Sequence, residues 1–182
     1  MNLANKLTLI RVILVPFFLL FMYINVPCNF FIALIIFSVA SITDALDGHI
    51  ARKYNLVTDF GKFLDPLADK VLVLSALACF TDSGLMSCVP LIIIMAREFM
   101  VSGLRLAAAN EGVVVPAGIW GKLKTAFTMV TIVFAIVFAW FSPEAAVYNI
   151  IIQTLIWIST ALTVISGAQY LKAYWEYIDP SK

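Results

Sequence analysis

The sequence predicts an all-α integral membrane protein built as a bundle of six transmembrane helices. Of its 182 residues, 63% are hydrophobic and only 13% are charged, whereas soluble domains contain about 45–50% apolar and about 25% charged residues. The mean hydropathy is +1.00. The apolar residues form long continuous runs, which are typical of membrane helices and not of the alternating strands of membrane β-barrels. The net charge of +1 gives no indication of nucleic-acid binding.

The first three spans follow from one long apolar run and its interruptions. Residues 12–43 carry no charge, but as one helix they would extend about 48 Å, beyond a hydrocarbon core of about 30 Å. Turn-forming residues at 25–29 divide the run. Span 1 is therefore predicted near 8–25 and span 2 from about 30 to 52. Span 3 covers about 61–81 and ends at Asp82-Ser83-Gly84.

The second half of the chain gives three more spans by the same criteria. Span 4 covers about 88–109, and a polar loop with glycine and proline follows it. Span 5 covers about 122–142 and stops at Ser142-Pro143, and span 6 covers about 147–170. Six spans leave little chain outside the membrane, so we predict a single domain over residues 1–182.

The basic residues predict the orientation of the bundle. The predicted loops at 25–29, 82–87 and 143–146 contain no Lys or Arg, and all twelve basic residues lie at or nearer to the other side. Because basic residues favour the cytosolic side, both termini and any active site should face the cytosol.

Several ionisable residues fall inside or at the ends of the predicted spans: Asp44, Asp47, Asp65, Asp69, Lys70, Arg97, Glu98 and Arg105. A charge near the bilayer centre costs about 2.5–3.5 kcal/mol on insertion scales, so such residues indicate a polar site within the bundle. At 1.5 Å per residue, the four aspartates fall in one layer near the cytosolic face. Their i, i+3 and i, i+4 spacings place each pair on one helix face.

Four convergent carboxylates repel one another unless a cation compensates their charge. Carboxylate oxygens suit Mg²⁺ and Mn²⁺, so the cluster predicts a divalent-cation site, and two such ions would serve phosphoryl chemistry. A divalent-cation or proton transporter is the alternative of a different class. A transporter needs ionisable residues through both leaflets, and the outer halves of the spans lack acidic residues apart from Asp82 and Glu144 at their ends. This asymmetry favours an enzyme.

The aspartates belong to a longer pattern: Asp44-x2-Asp47-Gly48-x2-Ala51-Arg52-x8-Gly61-x3-Asp65-x3-Asp69. This pattern resembles the complete signature of the CDP-alcohol phosphatidyltransferase family, and the six-span layout is similar along the whole chain. The resemblance implies a CMP-releasing transferase that uses two divalent cations, Mg²⁺ or Mn²⁺, in the bacterial inner membrane.

The resemblance also implies roles for the residues of the pattern. Metal binding falls to the four aspartates, Asp44, Asp47, Asp65 and Asp69, and Asp69 is also the expected general base. Contacts with the CDP moiety fall to Gly48, Ala51, Arg52 and Gly61. Taken alone, the small residues among these fit close helix packing equally well.

Three further segments resemble the bacterial family members that form phosphatidylglycerophosphate: residues 2–11, 97–105 and 121–125. The first segment departs from them mildly, with Ala4 in place of a proline. The expected reaction transfers the phosphatidyl group of CDP-diacylglycerol to sn-glycerol 3-phosphate. Arg105, Lys122 and Lys124 are the predicted ligands of the acceptor phosphate. Inositol phosphate or serine as acceptor, and a homodimer as the assembly, are left open.

Overall fold

The computed structural model describes residues 3–53, 59–110, 112–113, 115–116, 118–141 and 146–177; side chains at 3–4, 44–53, 59–63, 65–66, 110, 146 and 177 are outside the described part. Six α-helices and a terminal 3-10 turn make up the described chain, without a strand. The helices are α1 (Leu3–Tyr23), α2 (Asn29–Lys53), α3 (Asp59–Asp82), α4 (Cys88–Asn110), α5 (Ile119–Phe141) and α6 (Ala146–Tyr174).

The predicted all-α fold is confirmed, and each helix overlaps one predicted span. The main differences lie at the ends: α1 begins at Leu3, and α6 continues to Tyr174 before the turn Trp175–Tyr177. The apolar pattern marks only the part of a helix that is embedded in lipid. A helix continues beyond that part as long as its backbone hydrogen bonds are satisfied.

Two glycines end helices at the turns where the sequence changes from apolar to polar. Gly84 follows α3 with φ 74° and Gly112 follows α4 with φ 77°. In both turns a backbone amide just after the helix donates a hydrogen bond to a carbonyl of the last helical turn. Met86 N–H donates to Phe80 O at 2.9 Å, and Val113 N–H donates to Ala108 O at 2.9 Å. Glycine suits these positions because it adopts positive φ without a steric penalty.

Packing joins the helices into one bundle. Helix α1 packs against α2 and α3, α6 packs against α4 and α5, and α2 packs against α5. The core between them is apolar, with Phe18, Phe37, Leu72, Ile132 and Ile152 among its fully buried side chains. The rings of Phe18 and Phe37 lie 5.8 Å apart, between α1 and α2.

Large apolar side chains also cover the outside of the bundle. Ile13 on α1, Ile92 on α4 and Ile150 on α6 are each more than half exposed. Within the described residues, three helical segments are long and apolar enough to cross a membrane: Asn5–Tyr23, Ile119–Phe141 and Val147–Tyr174. An apolar exterior of this kind matches a lipid environment, where hydrocarbon replaces water as the solvent.

Candidate active site

A cavity of about 640 Å³ lies between α3, α4 and α5, with Tyr170 of α6 on its wall. Among the described side chains, seven charged ones line it: Lys70, Arg97, Arg105, Lys122, Lys124, Asp69 and Glu98. Five of these are cationic and two are acidic, so the described part of the lining carries an excess of positive charge. A concave site lined mainly by cations attracts anions, and phosphate groups in particular.

Asp69, the predicted general base, lies on the wall of this cavity and is held by a partner from another helix. Arg11 of α1 donates from Nη1 to Oδ1 of Asp69 at 2.5 Å. The Arg11 side chain is 1% exposed, whereas that of Asp69 is 44% exposed. A buried cation thus fixes the position of a carboxylate that remains accessible.

All three residues predicted to bind the acceptor phosphate line the same cavity as Asp69. Arg105 comes from the last turns of α4, and Lys122 and Lys124 come from the first turns of α5. Arg105 and Lys122 are exposed, whereas Lys124 is buried. The helix ends therefore place two accessible cations and one buried cation around one space.

The buried cation is paired with an acid. Lys124 forms a salt bridge from Nζ to Oε1 of Glu98, and the two side chains are 6% and 17% exposed. Arg97 contacts the same oxygen at 3.2 Å and donates to Oγ of Ser166 at 2.5 Å. Paired in this way, charges can be kept within the bundle despite the cost of removing them from water.

The remaining residues of the sequence pattern lie in the expected helices. Asp44, Asp47, Gly48, Ala51 and Arg52 fall in α2, while Gly61 and Asp65 fall in α3. Their side chains are outside the described part of the structure, so their predicted roles stay predictions. Among the described side chains, no group of three or more His, Cys, Asp or Glu residues converges.

Several cavity residues were not assigned a role from the sequence. Lys70, Arg97 and Glu98 are identified as charges within spans, and Arg97 and Glu98 also fall in the segment 97–105 that resembles family members, but neither observation assigns them a role. Tyr170 gave no signal, because a tyrosine near the end of an apolar span is common at membrane interfaces. Its involvement depends on contacts with residues more than fifty positions away, including Arg105 and Gly118.

The model of the CDP-alcohol phosphatidyltransferase family matches residues 1–165 of this chain. The chain belongs to that family. Curated relatives support the membership over nearly the full length. One from Rickettsia bellii is 40% identical over 97% of both chains, and one from Bacillus subtilis is 38% identical over 99% of this chain and 98% of its own. A relative from Haemophilus influenzae is 37% identical over 94% of this chain and 92% of its own.

These three relatives carry the name CDP-diacylglycerol–glycerol-3-phosphate 3-phosphatidyltransferase. The CDP-alcohol phosphatidyltransferase family generally uses divalent cations. With its apolar helices and this family membership, the chain is an integral membrane protein.

The carboxylates of the sequence pattern are suitable ligands for such cations. Asp69 presents a carboxylate at the cavity, and Asp65 precedes it by one helical turn in α3. Asp44 and Asp47 are likewise one turn apart in α2. Carboxylate oxygens are the ligands that Mg²⁺ and Mn²⁺ prefer, and the surrounding cations favour the phosphate groups that such ions accompany.

Proposed function

We propose that this protein transfers the phosphatidyl group of CDP-diacylglycerol to sn-glycerol 3-phosphate, giving phosphatidylglycerophosphate and CMP. The observation that carries the proposal is the shared cavity, in which Asp69 faces the same space as Arg105, Lys122 and Lys124. A base and a cationic phosphate site side by side suit an acceptor that has both a hydroxyl and a phosphate. Relatives of nearly the same length bear the name of this activity.

Asp44, Asp47, Asp65 and Asp69 would hold two divalent cations, Mg²⁺ or Mn²⁺. When bound, these ions neutralise phosphate charge and stabilise the oxygen that departs with CMP. Gly48, Ala51, Arg52 and Gly61 would contact the CDP moiety; the two glycines let the backbone approach a flat ligand closely.

Asp69 would accept the proton of the acceptor hydroxyl as that oxygen attacks the β-phosphorus of the donor. The new bond joins the glycerol oxygen to this phosphorus, and the bond from phosphorus to the CMP oxygen breaks. Arg11 holds one Asp69 oxygen at 2.5 Å, which orients the carboxylate. The fixed geometry lowers the entropic cost of reaching the transition state.

Arg105 and Lys122 are the accessible cations for the phosphate of glycerol 3-phosphate, since both are exposed at the cavity. Lys124 would contribute from the interior while it remains paired with Glu98. An acceptor without a phosphate would leave these cations unpaired, which disfavours glycerol and serine.

The chain would act in the bacterial inner membrane as a single domain over residues 1–182, with both termini in the cytosol. The acyl chains of the donor can stay in the bilayer between the helices, while CMP leaves to water. The cationic cavity between the ends of α4 and α5 would then open toward the cytosol, where a water-soluble acceptor is present.

Release of CMP by the purified protein tests the proposal. The protein in detergent micelles is given CDP-diacylglycerol, Mg²⁺ or Mn²⁺, and one acceptor at a time: glycerol 3-phosphate, glycerol, serine or inositol phosphate. We expect rapid CMP release only with glycerol 3-phosphate, and loss of release in excess chelator. Faster release with serine or inositol phosphate would be consistent with the family membership but would show that the proposed acceptor is wrong.

A further inference from the structure

The hydroxyl of Tyr170 joins the end of α6 to the cavity wall and to the chain between α4 and α5. It accepts hydrogen bonds from Arg105 Nη2 at 3.0 Å and from the Gly118 amide at 2.9 Å, and it donates to Pro116 O at 3.1 Å. A phenolic hydroxyl has one hydrogen to donate and lone pairs for two bonds. Its full hydrogen-bonding capacity is thus used at this position, where Tyr170 is 6% exposed.

The ring of Tyr170 also contacts two arginines of α4. The guanidinium carbons of Arg97 and Arg105 each lie 5.5 Å from the ring centroid, within range of cation–π attraction. Two turns of α4 separate these arginines in the chain, yet both guanidinium groups contact the same ring on α6.

Glycine at position 167 permits the close approach of Arg97 to α6. A Cβ on Gly167 would lie 3.1 Å from Cγ of Arg97, closer than an ordinary van der Waals contact, so the Arg97 stem would have to shift. A Cβ on Gly121 of α5 would lie 3.4 Å from the Tyr170 ring, which is an ordinary contact distance. The small residue at position 167 thereby allows the arginine stem to pack against the neighbouring helix.

We infer that Tyr170 is a positioning residue for the acceptor: it holds the Arg105 guanidinium toward the cavity and fastens Pro116 and Gly118 beside it. This inference rests on the proposed function. Arg105 is exposed and has a long flexible side chain, so a free Arg105 would lose rotamer freedom when it bound a phosphate. A guanidinium held in advance by a hydroxyl and a ring face binds the same phosphate more tightly, because less ordering accompanies binding.

Variants of Tyr170 separate the hydroxyl from the ring. Tyr170→Phe keeps the ring and removes three hydrogen bonds, whereas Tyr170→Leu removes both features. We expect the KM for glycerol 3-phosphate to rise about ten-fold in Tyr170→Phe and further in Tyr170→Leu. The KM for CDP-diacylglycerol should change less than about two-fold, because Tyr170 acts on the acceptor side.

Tyr148→Phe is the matched control. Tyr148 is also a buried tyrosine of α6, and its hydroxyl donates to Ala135 O at 3.2 Å, but it does not line the active-site cavity. If Tyr170 were only structural, Tyr170→Phe would lower the thermal stability as Tyr148→Phe does and leave the acceptor KM unchanged. That result would overturn the inference.

A double variant tests whether the effect passes through Arg105. In the Arg105→Ala background, adding Tyr170→Phe should raise the acceptor KM by less than about two-fold, since the guanidinium is already absent. A full ten-fold rise in that background would show that Tyr170 acts by another route and would contradict the inference.

Amide exchange gives a readout that does not depend on the acceptor. The Gly118 N–H donates to the Tyr170 hydroxyl, so exchange around Gly118 should accelerate in Tyr170→Phe and not in Tyr148→Phe. If the wild-type protein uses an alcohol other than glycerol 3-phosphate in the acceptor assay, that result rejects the proposed function. Unchanged exchange around Gly118 would overturn the role of Tyr170 whichever alcohol is used.

Discussion

The guanidinium of Arg11, buried in α1, contacts Oδ1 of Asp69 in α3 at 2.5 Å. This contact connects the N-terminal helix directly to the carboxylate proposed as the general base. In the proposed mechanism, α1 would therefore support catalysis as well as cross the membrane, and Asp69 would enter the reaction from a fixed position.

Asp69→Asn should abolish turnover while the protein remains inserted and folded. An amide removes both the proposed base and a charged metal ligand, which should lower kcat on the order of 10³-fold or more. Asp44→Asn and Asp65→Asn should act similarly. Asp82→Asn is the matched control, because Asp82 ends the same helix and lines a different cavity. Substantial CMP release by Asp69→Asn would refute the assignment of the base.

Arg11→Ala should reduce kcat about ten- to a hundred-fold, because Asp69 loses an ion pair that orients it. Arg11→Lys should restore part of the activity, since lysine returns the charge without the planar guanidinium. Lys6→Ala, an exposed cation of the same helix, serves as control. Steady-state kinetics in micelles measure the effect, and an Arg11→Ala enzyme with wild-type kcat would show that the contact has no catalytic consequence.

Arg105→Ala should raise the KM for glycerol 3-phosphate about ten- to a hundred-fold, the expected effect of losing a charged hydrogen bond to phosphate. Its effect on the KM for CDP-diacylglycerol should be much smaller, and Arg105→Lys should rescue only partly. Lys172→Ala is the control, because Lys172 is an exposed cation of α6 that does not line the cavity. A change confined to the CDP-lipid KM would assign Arg105 to the donor site.

Glu98→Gln should destabilise the bundle more than Lys124→Met does. The first change leaves both Lys124 and Arg97 without the carboxylate they share, whereas the second leaves Glu98 its contact with Arg97. Breaking a buried ion pair costs about 3–5 kcal/mol because one charge stays uncompensated. The double variant should recover part of the loss. Thermal unfolding in detergent measures all three, and an additive double variant would contradict the coupling.

Native cysteines test the proposed topology. Cys28 precedes α2 and Cys88 begins α4, and both are exposed, whereas Cys79 is buried. In intact cells, a membrane-impermeant maleimide should label variants that retain only Cys28 or only Cys88. A single cysteine introduced as Lys172→Cys should react only after permeabilisation. Labelling of Cys28 from the cytosolic side alone would reverse the orientation.

The helices could be predicted because membrane spans leave a strong local signal. The apolar run at 12–43 and its interruption at 25–29 mark α1 and α2. The glycines at 84 and 112 lie just after the ends of α3 and α4. Charged residues such as Asp69 and Arg105 could also be identified as candidates. An ionisable residue within a membrane span is costly, so such residues are rare and usually have a function.

The partners of these residues could not be predicted from sequence. Arg105 and Tyr170 are 65 positions apart and Arg11 and Asp69 are 58 apart, so neither contact leaves a local periodic pattern. The sequence shows that Lys124 is a cation close to Lys122. It does not show that Lys124 pairs with Glu98 of the preceding helix. Such contacts depend on how the helices rotate and pack, which the hydrophobic pattern defines only coarsely.

The most direct test is the mass of the lipid product formed when the acceptors compete. Purified wild-type protein receives CDP-diacylglycerol, divalent cation, and an equimolar mixture of glycerol 3-phosphate, inositol phosphate and serine. Phosphatidylglycerophosphate should be the dominant product, the lipid products together should equal the CMP released, and Arg105→Ala should lower the share of phosphatidylglycerophosphate. Dominant formation of phosphatidylserine or phosphatidylinositol phosphate, or no CMP-coupled lipid product at all, would contradict the proposed reaction.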